Sequence, residues 1–312
     1  MKALLLTDGK PGHENQSIAL CRHLGLMYET VTVAYSCKPA KVLSYLLDRF
    51  GIYTEKIFQI ADCRFLIADF DLVISTGSTT FYPNKVLARK LRIPNIAILN
   101  PKGYRPDFTK ILCPAYDHPP KRPNIIELPL NICAADKSFF VEKAAEFKTK
   151  HQVNSPAMGF IIGGPNAIST IDAACLKKQL EKAFALTEGC KRWVTTSRRT
   201  PADVEAVIES LPFDYRLINS RDPYNPVPAF IQLCDRLFVT SDSASMISEC
   251  ASFGAASVEI LMNRQTKTPN KFQELIHGLE KLNAVHVFNG TLGTANRKID
   301  LAETLKGIAA CM

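Results

Sequence analysis

The stretch that decides the fold runs from Val239 to Gly254 and reads VTSDSASMISECASFG. An apolar strand enters a loop of small hydroxyl residues, a helix follows, and Gly254 ends that helix. In such a unit the free N–H groups at the helix N-terminus are suited to holding a phosphate. Glu249 lies four residues after Ser245, on the same helix face and about one turn further along. Its carboxylate is suited to two vicinal hydroxyls of a ribose, although an isolated glutamate is more often an ordinary surface residue.

The same alternation of short apolar strands and amphipathic helices fills both halves of the chain. Ala3–Leu6 and Met158–Ile162 each begin a βαβ array. This pattern predicts an α/β fold of two Rossmann-like domains, each a parallel sheet covered by helices on both faces. The linker is predicted at His151–Pro156, which gives an N-terminal domain over residues 1–152 and a C-terminal domain over residues 153–312. Ligands of such sheets bind beyond the carboxyl ends of the strands, so we expect the two domains to face a central cleft.

Three predicted helices matter for the organisation of the chain. Apolar residues at helical spacing predict one helix over Pro39–Phe58. The charged segment Ala134–Lys150 predicts a helix at the end of the N-terminal domain. A C-terminal helix over Leu301–Ala310 follows the last strand, and the sequence leaves open whether it crosses back onto the N-terminal domain.

The charge of the chain is concentrated in its first half. The 312 residues are 46% hydrophobic and 22% charged, as in a globular protein with an apolar core. The net charge is +8, and residues 1–150 hold 21 Lys and Arg against 14 Asp and Glu, whereas residues 151–312 hold 17 against 16. This excess suits an anionic partner such as phosphate or an acidic membrane surface, or it forms an ordinary solvated surface. The basic residues lack interleaved aromatic residues, which argues against nucleic acid.

Membrane spans, secretion and metal binding find no support in the sequence. The apolar runs are far shorter than the ~18 residues of a membrane span, and the N-terminal one is too short for a signal peptide. The ten cysteines occur singly, without a Cys-x-x-Cys pair or a histidine at metal spacing. They favour a reducing compartment and predict no metal site. We therefore expect a cytoplasmic protein without metal or cofactor, with peripheral membrane association left open.

The loop after the first strand combines glycines with candidate catalytic groups and reads TDGKPGHENQ over residues 7–16. Its glycines permit a tight turn and close backbone approach. His13 or Asp8 is the candidate general base. The other polar or flexible positions here, and those after the strand Asp71–Ser75, are candidates for binding an acceptor: Gly9, Lys10, Gly12, Glu14, Asn15, Gln16, Thr76, Gly77 and Ser78. Both loops also fit plain strand-to-helix turns, in which His13 and the hydroxyls only cap a helix.

Two loops of the second half resemble phosphate-binding turns. Gly163 and Gly164 follow a buried strand, where they permit close approach of a phosphate. Arg198 and Arg199, after Ser197, end the next strand with paired guanidinium groups suited to a diphosphate. An arginine pair alone is more often a surface feature.

The segment from Ser243 to Gly254 resembles the sugar-nucleotide motif of two-domain GT-B glycosyltransferases. In that group the glutamate binds the nucleotide ribose and the helix start faces the diphosphate. The resemblance implies these roles for Glu249 and for Ser243 with Ser245. The group also has a Gly-rich N-terminal loop that ends in a histidine, to which Gly12-His13 is similar, and a basic, lipid-facing N-terminal domain.

Nearly the whole chain resembles the mitochondrial-fission Elm-type family, whose bacterial members are often described as nucleoside-diphosphate-sugar epimerases. Four motifs carry this resemblance in the expected order, namely residues 7–16, 162–165, 196–201 and 240–249. Gly254-Ala255-Ala256-Ser257 stands where the family usually carries a Gly-Lys-Pro turn.

The leading hypothesis is a GT-B-like glycosyltransferase that moves a sugar from a nucleoside-diphosphate sugar to a lipid-linked or envelope glycan acceptor. The implied nucleotide-sugar site comprises Gly163, Gly164, Ser197, Arg198, Arg199, Ser243, Ser245, Met246 and Glu249. One alternative is a nucleoside-diphosphate-sugar epimerase, for which only Asp8, Glu14 and Glu249 are available as carboxylates. Another is a non-catalytic adaptor on a membrane surface. The sequence does not specify the oligomeric state.

Overall fold

The chain folds into two compact α/β units. The computed structural model describes residues 1–61, 69–133, 137–151, 153 and 157–309. Unit 1 comprises Met1–Ala134 together with Leu301–Met312, and unit 2 comprises Ala135–Asp300. Each unit contains a largely parallel sheet, so the predicted fold class is confirmed.

In the described residues, the sheet of unit 1 has seven strands. They are β1 (Lys2–Thr7), β2 (Met27–Tyr35), β3 (Phe58–Ile60), β4 (Leu72–Thr76), β5 (Asn95–Ile98), β6 (Lys110–Pro114) and β7 (Ile125–Leu128). Their order is β3-β2-β1-β4-β5-β6-β7, and β3 alone is antiparallel to its neighbour. The helices that connect them are α1 (Pro11–Leu24), α2 (Lys38–Arg49) and α3 (Phe81–Leu91).

Strand β1 marks the switch point of this sheet. Its residues Leu4, Leu5 and Leu6 are buried, as expected of a central strand covered on both faces. The chain continues from β1 to β2 on one side, whereas β4 pairs with β1 on the other. The loops after β1 and β4 therefore lie next to each other at the carboxyl edge, where such sheets bind ligands.

Unit 2 repeats this plan with a fully parallel main sheet. Its described strands are β8 (Ala157–Ile162), β9 (Ser169–Thr170), β10 (Lys191–Thr196), β11 (Tyr215–Leu217), β12 (Arg236–Thr240), β13 (Ser257–Leu261), β14 (Arg264–Gln265) and β15 (His286–Val287). The main sheet has the order β11-β10-β8-β12-β13-β15, and β9 pairs with β14 separately. The switch point lies between β8 and β12. The helices are α4 (Lys137–His151), α5 (Ala173–Leu186), α6 (Ala202–Ser210), α7 (Val227–Leu233), α8 (Ala244–Ser252) and α9 (Lys271–Lys281).

The division between the units differs from the predicted boundary at residues 152 and 153. Helix α4, which we expected to close the first domain, belongs to unit 2. It buries Phe140, Ala144 and Phe147 along one face and packs against α7. The Phe147 ring contacts Trp193 and Phe230. These apolar contacts place the division before α4.

The last helix packs on the first unit, which the sequence left open. Helix α10 (Ala302–Ala309) packs against α1 in unit 1 and buries Leu305 and Ile308. The chain thus returns to its first unit after completing the second.

Helix α2 is shorter than the sequence predicts. It ends at Arg49 instead of continuing to Phe58, because Gly51 adopts a left-handed conformation with φ of 72°. A 3-10 turn at Glu55–Ile57 then leads into β3. Within the described ranges, no helix combines the length and the apolar character that crossing a membrane requires.

Candidate functional site

Unit 2 carries a pocket of about 320 Å³ at the carboxyl ends of its central strands. Strands β8 and β10, the loops that follow β10 and β11, and the start of α8 contribute to its wall. The lining residues are Ile161, Ile162, Thr195, Thr196, Ser197, Arg198, Asn219, Pro223, Tyr224, Asn225, Pro226, Val227, Ser245, Met246 and Glu249. Five of the predicted nucleotide-sugar residues are therefore brought together here: Ser197, Arg198, Ser245, Met246 and Glu249.

Glu249 lies in the second turn of α8, with its carboxylate partly buried in the pocket. Burial raises the pKa of this carboxyl to about 7. Among the described residues no hydrogen bond or ion pair to the Glu249 side chain is found. Withdrawing an ionised carboxylate from water without a hydrogen-bond partner raises the free energy of the folded protein. Ligand hydroxyl groups that donate hydrogen bonds to it would offset that free energy.

The N-terminus of α8 contributes to the wall of the same pocket. Ser243 caps the helix, since its Oγ accepts a hydrogen bond from the Met246 N–H at 3.4 Å. Ser243 therefore acts as the helix cap, while Ser245 and Met246 line the pocket. The helix start also carries the positive end of the helix dipole, which favours an anion there.

Asp242, the second residue after β12, holds the loops at the switch point together. Its carboxylate is fully buried and forms an ion pair with Arg199 at 2.7 Å. The Thr240 hydroxyl donates to the same carboxylate at 2.7 Å, and the Gly164 N–H donates at 3.1 Å. Asp242 is not among the site residues predicted from the sequence, although it follows a predicted central strand.

The two glycines after β8 are required by this packing. A Cβ atom on Gly163 would collide with the Asp242 carboxylate, and one on Gly164 would collide with the Arg199 carbonyl. Neither glycine lines the pocket. Their role in the structure is close contact between loops, and the predicted approach of a phosphate to them stays a prediction.

The two adjacent arginines have different surroundings. The Arg199 guanidinium is bound to Asp242 and donates to the carbonyls of Gly164 at 3.1 Å and Pro165 at 3.0 Å. Arg198 is exposed and lines the pocket, and within the described part of the chain its side chain has no partner. Arg198 is therefore the arginine that is available to a ligand.

The loop after β11 forms a part of the pocket that the sequence analysis missed. Asn219 donates its backbone N–H to the Thr196 hydroxyl at 2.8 Å. Asp222 and Asn225 accept the backbone N–H groups of Tyr224 and Val227, which gives the loop a defined shape. The only available signal was that this loop follows the carboxyl end of a strand.

In unit 1, Asp8 and His13 form a hydrogen-bonded pair at the carboxyl end of β1. The His13 Nδ1 lies 3.1 Å from Asp8 Oδ1, and Lys10 Nζ lies 2.9 Å from Asp8 Oδ2. Burial acts to raise the pKa of Asp8, but the hydrogen bonds and charges of Lys10 and His13 outweigh it and leave the pKa below its ordinary value. Asp8 is thus held ionised, which suits it to orient His13 and not to accept a proton at neutral pH.

The loop after β4 packs directly on His13. Gly77 has φ of 91°, and a Cβ atom at this position would collide with the His13 ring. Beside it, Lys41 Nζ donates to the Ser78 hydroxyl at 3.1 Å. Thr76 is buried and hydrogen-bonded to Ser17 at 2.8 Å, so it supports the fold of the loop.

The remaining candidate residues of the first loop either contact neighbouring residues or make no contact that points to a ligand. Glu14 accepts a hydrogen bond from Thr7 at 3.2 Å. The buried Gln16 donates to the carbonyl of Gly12 at 3.1 Å. Gly9, with φ of 75°, makes the turn, and Asn15 is exposed.

The chain is similar in sequence to a family model and to another protein. The family model described as Mitochondrial fission ELM1 matches residues 11–311 of this chain. The uncharacterized protein RP120 of Rickettsia prowazekii (strain Madrid E) is 24% identical over a match that covers 81% of each chain.

A further comparison concerns solved structures. The UDP-GlcNAc 2-epimerase of Methanocaldococcus jannaschii is similar with a TM-score of 0.56 and 10% identity, over 99% of both chains. The UDP-GlcNAc 2-epimerase of Neisseria meningitidis, solved with UDP-GlcNAc bound, is similar with a TM-score of 0.52 and 13% identity, over 99% of this chain and 91% of the other. The MurG protein of Acinetobacter baumannii gives a TM-score of 0.48 at 12% identity, over 99% of this chain and 89% of the other. The likeness to the two epimerase structures, whose TM-scores exceed 0.5, establishes the GT-B-type fold and no more than the fold.

Proposed function

The chain belongs to the mitochondrial fission ELM1 family, and from this premise we propose that its second unit binds a nucleoside-diphosphate sugar, which the protein transfers to a glycan or lipid-linked acceptor. The observation that carries the proposal is Glu249, a partly buried carboxylate without a partner in the described chain, facing a pocket at the carboxyl ends of a parallel sheet. The structural neighbours bound to or acting on UDP-GlcNAc have the same fold.

Each polar group of the pocket has a task in this proposal. Glu249 accepts hydrogen bonds from two vicinal hydroxyls of the ribose. The N–H groups at the start of α8 and the Arg198 guanidinium bind the diphosphate. The loop from Asn219 to Val227 encloses the base, because it lies on the wall of the same pocket.

The transfer step uses the pair in unit 1. An acceptor hydroxyl oxygen bonds to the anomeric carbon as the bond from that carbon to the diphosphate oxygen breaks. His13 takes the hydroxyl proton on Nε2, since Nδ1 is held by Asp8. The nucleoside diphosphate leaves with the electron pair, and Arg198 offsets the charge that develops on it.

Isothermal titration calorimetry with UDP-GlcNAc and with ADP- and GDP-linked sugars tests the binding step. We expect one of these nucleotide sugars to bind and the Glu249→Ala variant to lose that binding. The matched control is Glu181→Ala, which removes an exposed carboxylate of α5 in the same unit. Equal affinities of the parent and the Glu249→Ala protein would refute the assignment of the site.

Product analysis separates transfer from epimerisation. Among the residues that line the pocket, in the described part of the chain, Glu249 is the one carboxylate. An epimerase has to move a proton at the sugar ring and normally uses several carboxylates or basic groups, so the lining of this pocket, taken by itself, favours transfer. Incubating one labelled nucleotide sugar without an acceptor distinguishes the two reactions, because only an epimerase would convert it to an epimer.

A further inference from the structure

Helix α2 in unit 1 turns its polar side toward the protein. Its buried positions are Ala40, Ser44 and Asp48. The Ser44 hydroxyl is 2.8 Å from the Tyr104 hydroxyl. The Asp48 carboxylate is 2.7 Å from the buried Lys85 ammonium. Hydrogen bonds and an ion pair hold this inward side, together with Tyr45, which stacks on Tyr104, and Leu47, which packs against the core.

The apolar side chains of the same helix face outward. They continue past its end to Ile52, and their exposed fractions are 70% for Val42, 41% for Leu43, 52% for Leu46, 70% for Phe50 and 52% for Ile52. A surface helix of a globular protein normally turns such a stripe toward the core. We call these five residues the outer face of α2. An exposed contiguous apolar patch of this kind marks a binding surface.

Cations flank the outer face, and two acidic side chains close to it in sequence, Asp48 and Glu55, are paired. Lys38 and Arg49, at the two ends of α2, are exposed and have no partner among the described residues. Asp48 is bound to Lys85, and Glu55 is bound to Lys90 at 2.7 Å. The surface around the apolar stripe is therefore positive, in a half of the chain that carries most of the net charge.

We propose that the outer face of α2 docks on an anionic lipid bilayer. Helices that lie in a membrane interface combine an apolar face with flanking Lys or Arg, as this one does. The apolar side chains enter the boundary between headgroups and acyl chains, and Lys38 and Arg49 bind lipid phosphates. A second copy of the chain fits less well, because a two-fold pairing of antiparallel helices would bring Lys38 of one copy toward Arg49 of the other. The inference does not depend on the nucleotide-sugar site.

Vesicle co-sedimentation of the full chain tests the proposal. We expect binding to vesicles of phosphatidylcholine mixed with phosphatidylglycerol, weaker binding to phosphatidylcholine alone, and weakening by salt. The Leu46→Ser, Phe50→Ser double variant should bind roughly 10-fold or more weakly, since two apolar side chains no longer leave water. Leu186→Ser, which changes an exposed leucine of α5, is the matched control and should bind like the parent.

Two further measurements keep the test decisive if the double variant is damaged. In Phe50→Trp, the new indole should show a blue-shifted emission on mixing with anionic vesicles, while Trp193, which is 2% exposed, provides a constant background. The Lys38→Glu, Arg49→Glu variant changes only exposed side chains and should lose binding to anionic vesicles. Undiminished binding by both surface variants would overturn the proposal. So would a dimer, seen by light scattering, that the Leu46→Ser, Phe50→Ser exchange dissociates while vesicles remain unbound.

Discussion

The switch points of the two units use acidic residues in opposite ways. In unit 2, the carboxylate that follows β12, Asp242, is buried and bound by Arg199, Thr240 and Gly164. In unit 1, the carboxylate that follows β1, Asp8, contacts a lysine at the surface and a histidine that is a quarter exposed. One acidic residue holds loops together, whereas the other orients a group that remains open to a ligand.

This difference shows that a charged residue at a strand's carboxyl end does not by itself identify a functional group. In unit 2, the residue that we propose to contact a ligand is Glu249, one turn into the next helix, whose carboxylate has no partner among the described residues. In unit 1, the proposed residue is His13, whose second ring nitrogen is not engaged by Asp8. Substitutions that separate binding, turnover and stability test whether this division is correct.

The largest effect is expected at His13. His13→Ala should lower kcat by about 10²–10⁴-fold, because the general base is lost, and should leave the affinity for the nucleotide sugar unchanged. Asp8→Asn should lower kcat by a smaller factor, since the imidazole is retained but less well oriented. Release of nucleoside diphosphate with a lipid-linked glycan acceptor measures turnover. His23→Ala, in the last turn of the same helix, is the control. A His13→Ala protein with full turnover would exclude His13 as the general base.

Asp242 should matter for stability more than Asp8. Asp242→Ala leaves the Arg199 guanidinium and several donors without their partner, and it should reduce the free energy of unfolding by about 3 kcal/mol. Asp8→Ala should cost less, about 1 kcal/mol, because the Asp8 carboxylate is only 4% exposed but its partners Lys10 and His13 can regain contact with water. Urea unfolding, followed by Trp193 fluorescence for unit 2 and by circular dichroism for the whole chain, gives both values. A larger loss for Asp8→Ala would contradict the comparison.

The fold could be predicted because hydrophobic periodicity reports strands and helices directly. Periodicity does not report which partner a helix chooses. The charged helix α4 contains Phe140, Ala144 and Phe147 at helical spacing, yet only the structure shows that this face packs in unit 2. For α2 the apolar residues predicted a helix correctly, but the direction in which they face depends on Lys85, which is distant in sequence and holds Asp48 inward.

The candidate site was predictable in its motifs and not in the roles of neighbouring residues. Glu249 stood out because a complete strand–loop–helix unit surrounds it. Arg198 and Arg199 were indistinguishable in sequence, since the choice between them depends on a salt bridge to Asp242 across the switch point. The loop from Asn219 to Val227 has no motif, so only its place on the pocket wall identifies it.

Glu249→Gln should separate ligand binding from stability. The variant should bind the nucleotide sugar roughly 10–100-fold more weakly, because a charged acceptor for the ribose hydroxyls is lost. Its folded state should nevertheless be more stable than that of the parent at about pH 8, by roughly 1–3 kcal/mol, because it no longer buries a charge. Calorimetric titration and thermal unfolding measure the two effects. A glutamate with a purely structural role would lose stability on this substitution.

The pKa of Glu249 fixes the direction of the pH dependence. Because burial raises the pKa from 4.5 to about 7, the folded state binds the proton more tightly than the unfolded state does. The stability of the parent should therefore fall as pH rises from about 4.5 to about 7, and this contribution should be absent in Glu249→Gln. Binding should strengthen over the upper part of that range, since the ribose needs the ionised carboxylate. The pKa of Tyr224, which lines the same pocket, is raised by burial, so this residue should not reverse the trend.

The smallest and most selective effects are expected at Arg198 and Arg199, where one substitution should change ligand affinity and the other should change stability. Arg198→Ala should weaken binding of the nucleotide sugar by about 10-fold and leave the affinity for the nucleoside and the melting temperature unchanged, because only the diphosphate contact is lost. Arg199→Ala should instead reduce the free energy of unfolding by about 2 kcal/mol, because the fully buried Asp242 carboxylate loses its cation and two carbonyl groups lose a donor. Calorimetry with the nucleoside, the nucleoside diphosphate and the nucleotide sugar resolves the two cases. A different result would be an Arg199→Ala protein that is as stable as the parent but has lost its affinity for the diphosphate. In that case the ion pair between Arg199 and Asp242 would have to open when the ligand binds. The contrast between a structural Arg199 and a ligand-binding Arg198 would then be wrong.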